Sequence, residues 1–165
     1  MKKLLLLAMT LLTTTALFAQ PNINASATIV SALTVDGQSN LAYGQILATA
    51  SPQSIVVATT DANAGRFLVS GSNSATVNLN FSALPATLTG PAAATMAISY
   101  SGRYNTENAA GGSTFTPTEG SGPSAVTLDA TTGQLYVYLG GTLTVGASQA
   151  TGVYSATITL GATYN

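Results

Sequence analysis

Apolar residues in this chain recur at every second position, and almost nowhere at the three-to-four spacing of a helix. The clearest stretch closes the chain. In residues 152–165 (GVYSATITLGATYN), Tyr154, Ala156, Ile158, Leu160, Ala162 and Tyr164 share one parity, while Ser155, Thr157, Thr159, Gly161 and Thr163 share the other. This alternation predicts a strand with one buried and one solvated face, running to the last residue. The other end shows the same period: from Ile23 to Val35 the odd positions read Ile, Ala, Ala, Ile, Ser, Leu, Val. One long strand is expected there, or two joined by a kink near Ser31.

Between the ends, a short strand broken by a bulge at Gly44 is expected over Leu41, Tyr43 and Ile46. Further strands are expected over residues 54–59, at Phe67 and Val69, over Val77, Leu79 and Phe81, and over Met96, Ile98 and Tyr100. Val126 and Leu128 resume the pattern. Leu135, Val137 and Leu139 then face one way with Tyr136 and Tyr138 facing the other, and Leu143 and Val145 continue after two glycines. Asp36-Gly37 and residues 61–65 read as turns. Residues 83–94 are alanine-rich, but Pro85, Gly90 and Pro91 exclude a helix. Residues 101–124 are rich in Gly, Ser, Thr, Asn and Pro, which predicts one long loop. Eight to ten short strands separated by turns predict an all-β protein, an antiparallel β-sandwich.

The first residues stand apart. Lys2 and Lys3 precede an apolar run from Leu4 to Leu12, and Leu17-Phe18-Ala19 offers a cleavage site before Gln20. Residues 1–19 therefore read as a secretory signal peptide, too short in its apolar core to span a bilayer. Export is expected, through the periplasm to the cell surface or medium, with no membrane insertion after cleavage. Residues 20–165 are enough for a single β-sandwich domain with a real core. Cysteine is absent, so that domain is held by core burial, by association, or by both.

Charge and side-chain inventory exclude whole classes of function. After residue 19 the only cations are Arg66 and Arg103, set against Asp36, Asp61, Glu107, Glu119 and Asp129. A surface with that balance does not neutralise a run of phosphates, so no nucleic-acid partner is expected. Without His, Cys or Lys after residue 19, the usual bases, nucleophile partners and metal ligands are missing. What remains for catalysis is a pair of carboxylates, and no pairing follows from their spacing. Asp61 with Asn63, and Asp36 with Asn40, offer oxygens for calcium but fall short of the six to eight ligands needed and read better as turn formers. No enzyme activity, cofactor or metal is expected. Tyr100, Tyr104, Tyr136 and Tyr138 are candidates for stacking on sugars, with cross-strand packing as the competing role.

With these residues in view, the chain resembles a bacterial secreted family described only as domain of unknown function 4402. The likeness rests on the opening SATIVSALTV, the LAYGQI segment with Tyr43 in its aromatic place, and the closing VGASQATGVYSATITLGATYN. The same ends are similar to spore-coat-U-like and other chaperone–usher pilins, which close on an alternating strand with a penultimate tyrosine and a glycine fourteen from the end. Tyr164 and Gly152 hold those places. The resemblance implies an immunoglobulin-like, pilin-like fold in which one subunit's N-terminal extension completes the next subunit's sheet. It implies Ile23, Ala25, Ala27 and Ile29 as donor side chains, and Gly152, Tyr154, Ala156, Ile158, Leu160 and Tyr164 as the receiving strand. Partners would be further copies or sister pilin-like subunits, with a periplasmic chaperone and an usher. The side chains at 25 and 27 are small for donor anchors, and the disulfide common in related pilins is missing.

The leading expectation is thus a secreted, non-enzymatic, adhesion-related subunit that assembles by strand pairing. The alternative is a self-complete, monomeric binding module, for carbohydrate through the 101–124 loop and Tyr104.

Overall fold

The computed structural model describes residues 23–165. Its strands are β1 (Thr34–Ser39), β2 (Gln53–Val57), β3 (Gly65–Ser70), β4 (Thr76–Ala83), β5 (Thr87–Thr89), β6 (Thr95–Asn105), β7 (Ser113–Phe115), β8 (Val126–Thr127), β9 (Gln134–Val145) and β10 (Thr159–Tyr164). One 3-10 turn spans Pro91–Ala93, and no α-helix occurs among the described residues. The protein is all-β, and every ladder between these strands is antiparallel.

β9 organises the larger sheet because it is long enough to take two partners along one edge. Its first half pairs with β3 (Val69 opposite Leu135) and its second half with β2 (Ile55 opposite Leu143). Its other edge pairs with β6 from Asn105 to Ala97. β1 extends the sheet beyond β3, and β6 carries β5 along one half and β7 along the other. A smaller sheet has the order β10-β4-β8.

Period two converts directly into packing. Leu135, Val137 and Leu139 of β9 turn inward with Val69 of β3, where they meet Val77, Leu79 and Phe81 of β4, Val126 of β8 and Leu160 of β10. This cluster joins the two sheets. Each such aliphatic or aromatic side chain taken from water contributes about 1.5–3 kcal/mol. Further along β9, Leu143 and Val145 form a second cluster with Met96 and Ile98 of β6. That cluster is roofed by Leu41, Tyr43, Ile46 and Tyr154, all half-buried.

Several expectations are corrected. The long strand from Ile23 to Val35 is absent: only residues from Thr34 onward are in β1, and 23–33 carry no strand. Asp36-Gly37 is not a turn but lies inside β1, which slips register between Gly37 and Ser39 in a bulge against β3. Leu41, Tyr43 and Ile46 belong to no strand, although Gly44 does adopt a positive φ of 70°. Their side chains find the second cluster without a ladder. The 101–124 stretch is not one loop. β6 runs on to Asn105 and β7 folds back along it, because Gly102 leaves space for the Phe115 ring, which a Cβ would strike at 2.4 Å. Phe115 then stacks on Phe81 with ring centroids 6.1 Å apart. The signal-peptide reading and its cleavage site fall on residues outside those described.

Candidate functional site

The two chain ends were the expected site. Of the receiving residues, Leu160 is buried in the main core, while Ile158 and Tyr164 are half-buried against it. β10 is shorter than the 152–165 alternation, however. Residues 152–158 leave the ladder, with one isolated bridge from Ser155 to Thr89, and Ala156 is exposed. Tyr154 belongs to the second cluster, and its hydroxyl donates to the Ala150 carbonyl at 2.9 Å. Gly152, with φ of 151°, packs on Pro91 so closely that a Cβ would meet the ring at 2.2 Å. The glycine answers a local fit to the 3-10 turn.

β10 pairs with β4 along one edge only. Along the other it comes near β1, with no ladder between them. Leu33 and Val35 from the β1 side, and Ile158, Ala162 and Tyr164 from the β10 side, are all partly exposed over the core. The core is therefore incompletely covered along this seam. At its end the Tyr164 hydroxyl accepts from the Ser72 amide at 2.8 Å and donates to the Ser31 carbonyl at 2.8 Å. The Ser31 amide donates to Ser72 Oγ. Beyond this root, residues 23–30 are exposed and in no ladder, with Ile23 at 95 % and Ile29 at 97 % of full exposure. Ile23, Ala25, Ala27 and Ile29 are thus exposed and paired to no strand among the described residues.

A second locus was not anticipated. On the outer face of the larger sheet, Arg66 of β3 and Arg103 of β6 stand directly opposite Tyr138 of β9, one on each side. Arg103 is almost wholly buried, its guanidinium carbon 4.0 Å from the centre of the Tyr138 ring. Its Nη1 donates to the carbonyls of Ala109, at 2.9 Å, and Gly111, and Nη2 to that of Thr59 at 3.0 Å. Arg66 Nη1 and the Tyr138 hydroxyl both donate to Asn108 Oδ1, each at 2.9 Å. Both Nε atoms are buried without an acceptor. The signal for this locus lay in charge and parity: the two cations beyond Lys3 sit on strands that flank an outward-facing tyrosine, a coincidence visible only once the register is known.

Tyr104 does not stand free. It faces inward, partly buried on the main core, with its ring centroid 6.1 Å from Phe115. Tyr100 donates its hydroxyl to the Pro85 carbonyl, and burial raises its pKa. The five acids lie on separate segments. Asp61 caps its own turn, Oδ2 accepting from the Ala58 amide at 2.7 Å. Asp129 accepts from the amides of Thr131 and Thr132 and from the Thr132 hydroxyl, which holds its carboxyl below its ordinary value. No group of three or more metal-binding side chains occurs among the described residues.

Neither the curated proteins nor the solved structures include one that matches this chain. A family model described as a domain of unknown function, DUF4402, matches residues 33–164, which take in every strand from β1 to β10. The chain therefore belongs to the DUF4402 family.

Proposed function

We propose that this protein is a secreted, non-enzymatic structural subunit with an immunoglobulin-like, pilin-like β-sandwich, built into a surface filament or matrix by strand pairing. The observation that carries the reading is the pairing of two unmet needs in one chain. Among the described residues, the exposed apolar side chains at 23–30 have no sheet, and β10 has an edge without a strand. Exposed edges of this kind are templates for another chain. Eight extended residues reach about 26 Å, more than the length of the six-residue β10. In the assembled state, Ile23, Ala25, Ala27 and Ile29 of one copy lie over Leu33, Val35, Ile158 and Ala162 of the next. Backbone ladders supply the affinity and the alternate side chains the register. A periplasmic chaperone and an usher would protect and order such edges during export, with further copies of this chain or sister pilin-like subunits as the partners.

Light scattering at rising concentration tests the idea, using residues 20–165 and the same protein lacking 20–28. Polymers are expected from the first and monomers from the second, with unchanged unfolding midpoints. A synthetic peptide of residues 20–30 should bind the shortened protein and shift the amide signals of β10. Unaltered polymerisation after the deletion overturns the strand-exchange reading. A strictly monomeric 20–165 whose own residues 23–30 become protected would favour a self-complete module instead.

A further inference from the structure

The assembly reading uses neither of the arginines, and they are placed in an unusual way. A buried guanidinium ordinarily has a carboxylate beside it, because desolvating an isolated cation costs several kcal/mol. Arg103 is 4 % exposed and Arg66 half-buried, yet among the described residues neither forms an ion pair. The carbonyls of Thr59, Ala109 and Gly111 solvate Arg103 as dipoles and leave its charge uncancelled. Next to it, the Arg66 charge is held by one neutral amide, Asn108. Both arginines of residues 20–165 thus stand beside one tyrosine, and among the described residues neither is ion-paired, although Asp61 lines the same pocket.

A pocket of about 200 Å³ opens beside these cations, between the β2–β3 turn and residues 108–110. Its remaining polar lining is neutral hydroxyl and amide, from Ser39, Thr59, Thr60 and Asn108, with Asp61 as the single acid. Asp61 commits one oxygen to the Ala58 amide and keeps the other as an acceptor. The volume is below the ~300–1,000 Å³ of sites for drug-sized ligands, so the occupant is one small unit. Two cations ask for an anion, and guanidinium favours a carboxylate or phosphate. Threonine hydroxyls, an amide and a carboxylate acceptor ask for a molecule that also carries hydroxyls. Both demands meet in a sugar acid.

We propose that this pocket binds an acidic monosaccharide unit, of the uronic or sialic acid class. Arg66 contacts the carboxylate through Nη2, Arg103 supplies its field from behind Tyr138, and Asp61 and the threonines receive the hydroxyls. The site lies on the outer face of the larger sheet, away from the seam between β1 and β10, so binding and assembly are separable.

Amide NMR titration of the protein lacking residues 20–28 tests this directly, with D-glucuronate, N-acetylneuraminate, D-glucose and inorganic phosphate as probes. Saturable shifts at Thr59, Thr60 and Asn108 are expected with the two acids, with Kd on the order of 1 mM. Glucose should give none, and added salt should weaken the acids. Arg66→Gln should reduce affinity at least tenfold while leaving the fold intact, since Arg66 is only half-buried. Asn108→Asp, on an exposed loop, places a carboxylate against Arg66 and should abolish binding of the acids. Absence of saturable shifts with either acid, equal binding of glucose, or binding of phosphate alone overturns the proposal. So does unchanged affinity in Arg66→Gln or Asn108→Asp. Because the titrated protein lacks the extension, the result is independent of whether the chain polymerises.

Discussion

The two ends of the chain carry the same alternating pattern and have opposite fates. Residues 159–164 are paired to β4 with Leu160 buried, whereas residues 23–30 pair with no strand among the described residues and hold Ile29 almost fully in water. What separates them is the size of the inward side chains. The C-terminal end offers Tyr154, Ile158, Leu160 and Tyr164, with Ala156 and Ala162 between them; the N-terminal end offers only two isoleucines, separated by two alanines. Ordering eight backbone residues costs roughly 8–16 kcal/mol. Burying two isoleucines returns about 3–6 kcal/mol, and some four ladder bonds return about 1 kcal/mol each. The return of about 7–10 kcal/mol falls short of the cost over most of its range. Alternation therefore says which face a residue would present, and side-chain volume decides whether the strand forms. Under the proposed assembly, a partner's groove would have to supply the burial that the N-terminal segment lacks in its own chain.

The largest test of that contrast is a matched pair of truncations. Leu160→Ala removes a buried side chain packed with the main core and should cost about 2–5 kcal/mol in urea unfolding. Ile29→Ala, in the apolar alternation of the other end, should change the monomer's stability by less than about 0.5 kcal/mol. If Ile29→Ala destabilised the monomer as much as Leu160→Ala, the extension would be packed within its own chain and the contrast would collapse. If the chain assembles as proposed, the ranking changes, because Ile29→Ala should then lower the concentration-dependent association.

Tyr164 is where the two ends meet, and it sharpens the comparison. Its hydroxyl serves both the Ser72 amide and the Ser31 carbonyl. Tyr164→Phe keeps the ring over the core but removes both bonds, at about 0.5–1.5 kcal/mol each. Hydrogen exchange should quicken at the Ser72 amide, while the β10–β4 ladder stays protected. Unchanged exchange at Ser72 would mean that the root of the extension is held by other contacts.

Much of the architecture was legible in advance, and the misses share a cause. β3, β4, β6 and β9 follow from alternation because each has one face in a core and enough length to show it. β5 and β7 are three residues each, too short for a period to register, and both exist because β6 offers them an edge. The Asp36-Gly37 pair has turn chemistry, yet its ladder with β3 outweighs it and leaves a bulge. The Arg66–Tyr138–Arg103 row could not be read beforehand, since it depends on which residues of three distant strands stand opposite one another. Gly152 and Tyr164 were marked by position in the chain; their local reasons, the Pro91 ring and the Ser31–Ser72 bonds, are tertiary.

Tyr43 separates burial from pairing in a third way, and gives the smallest effect. Its segment forms no strand, like 23–30, but its ring is packed on the second cluster, like β10. The hydroxyl is buried without a partner. Burial first, and then the neighbouring Tyr100, push its pKa from 10.0 up to about 12. In the unfolded chain the phenol ionises near its ordinary value, while the folded chain holds the proton longer. Between those pH values the unfolded state binds fewer protons, so stability falls as pH rises from 10.0 towards about 12. Tyr43→Phe removes an unsatisfied hydroxyl and should stabilise the protein by about 1 kcal/mol at neutral pH. It should also remove that part of the alkaline loss, so its advantage grows as the pH climbs. Urea midpoints of the two proteins near pH 8 and near pH 11 give the check. A destabilised Tyr43→Phe would show that the hydroxyl is bonded after all, and that the segment is held by more than the burial of its side chains.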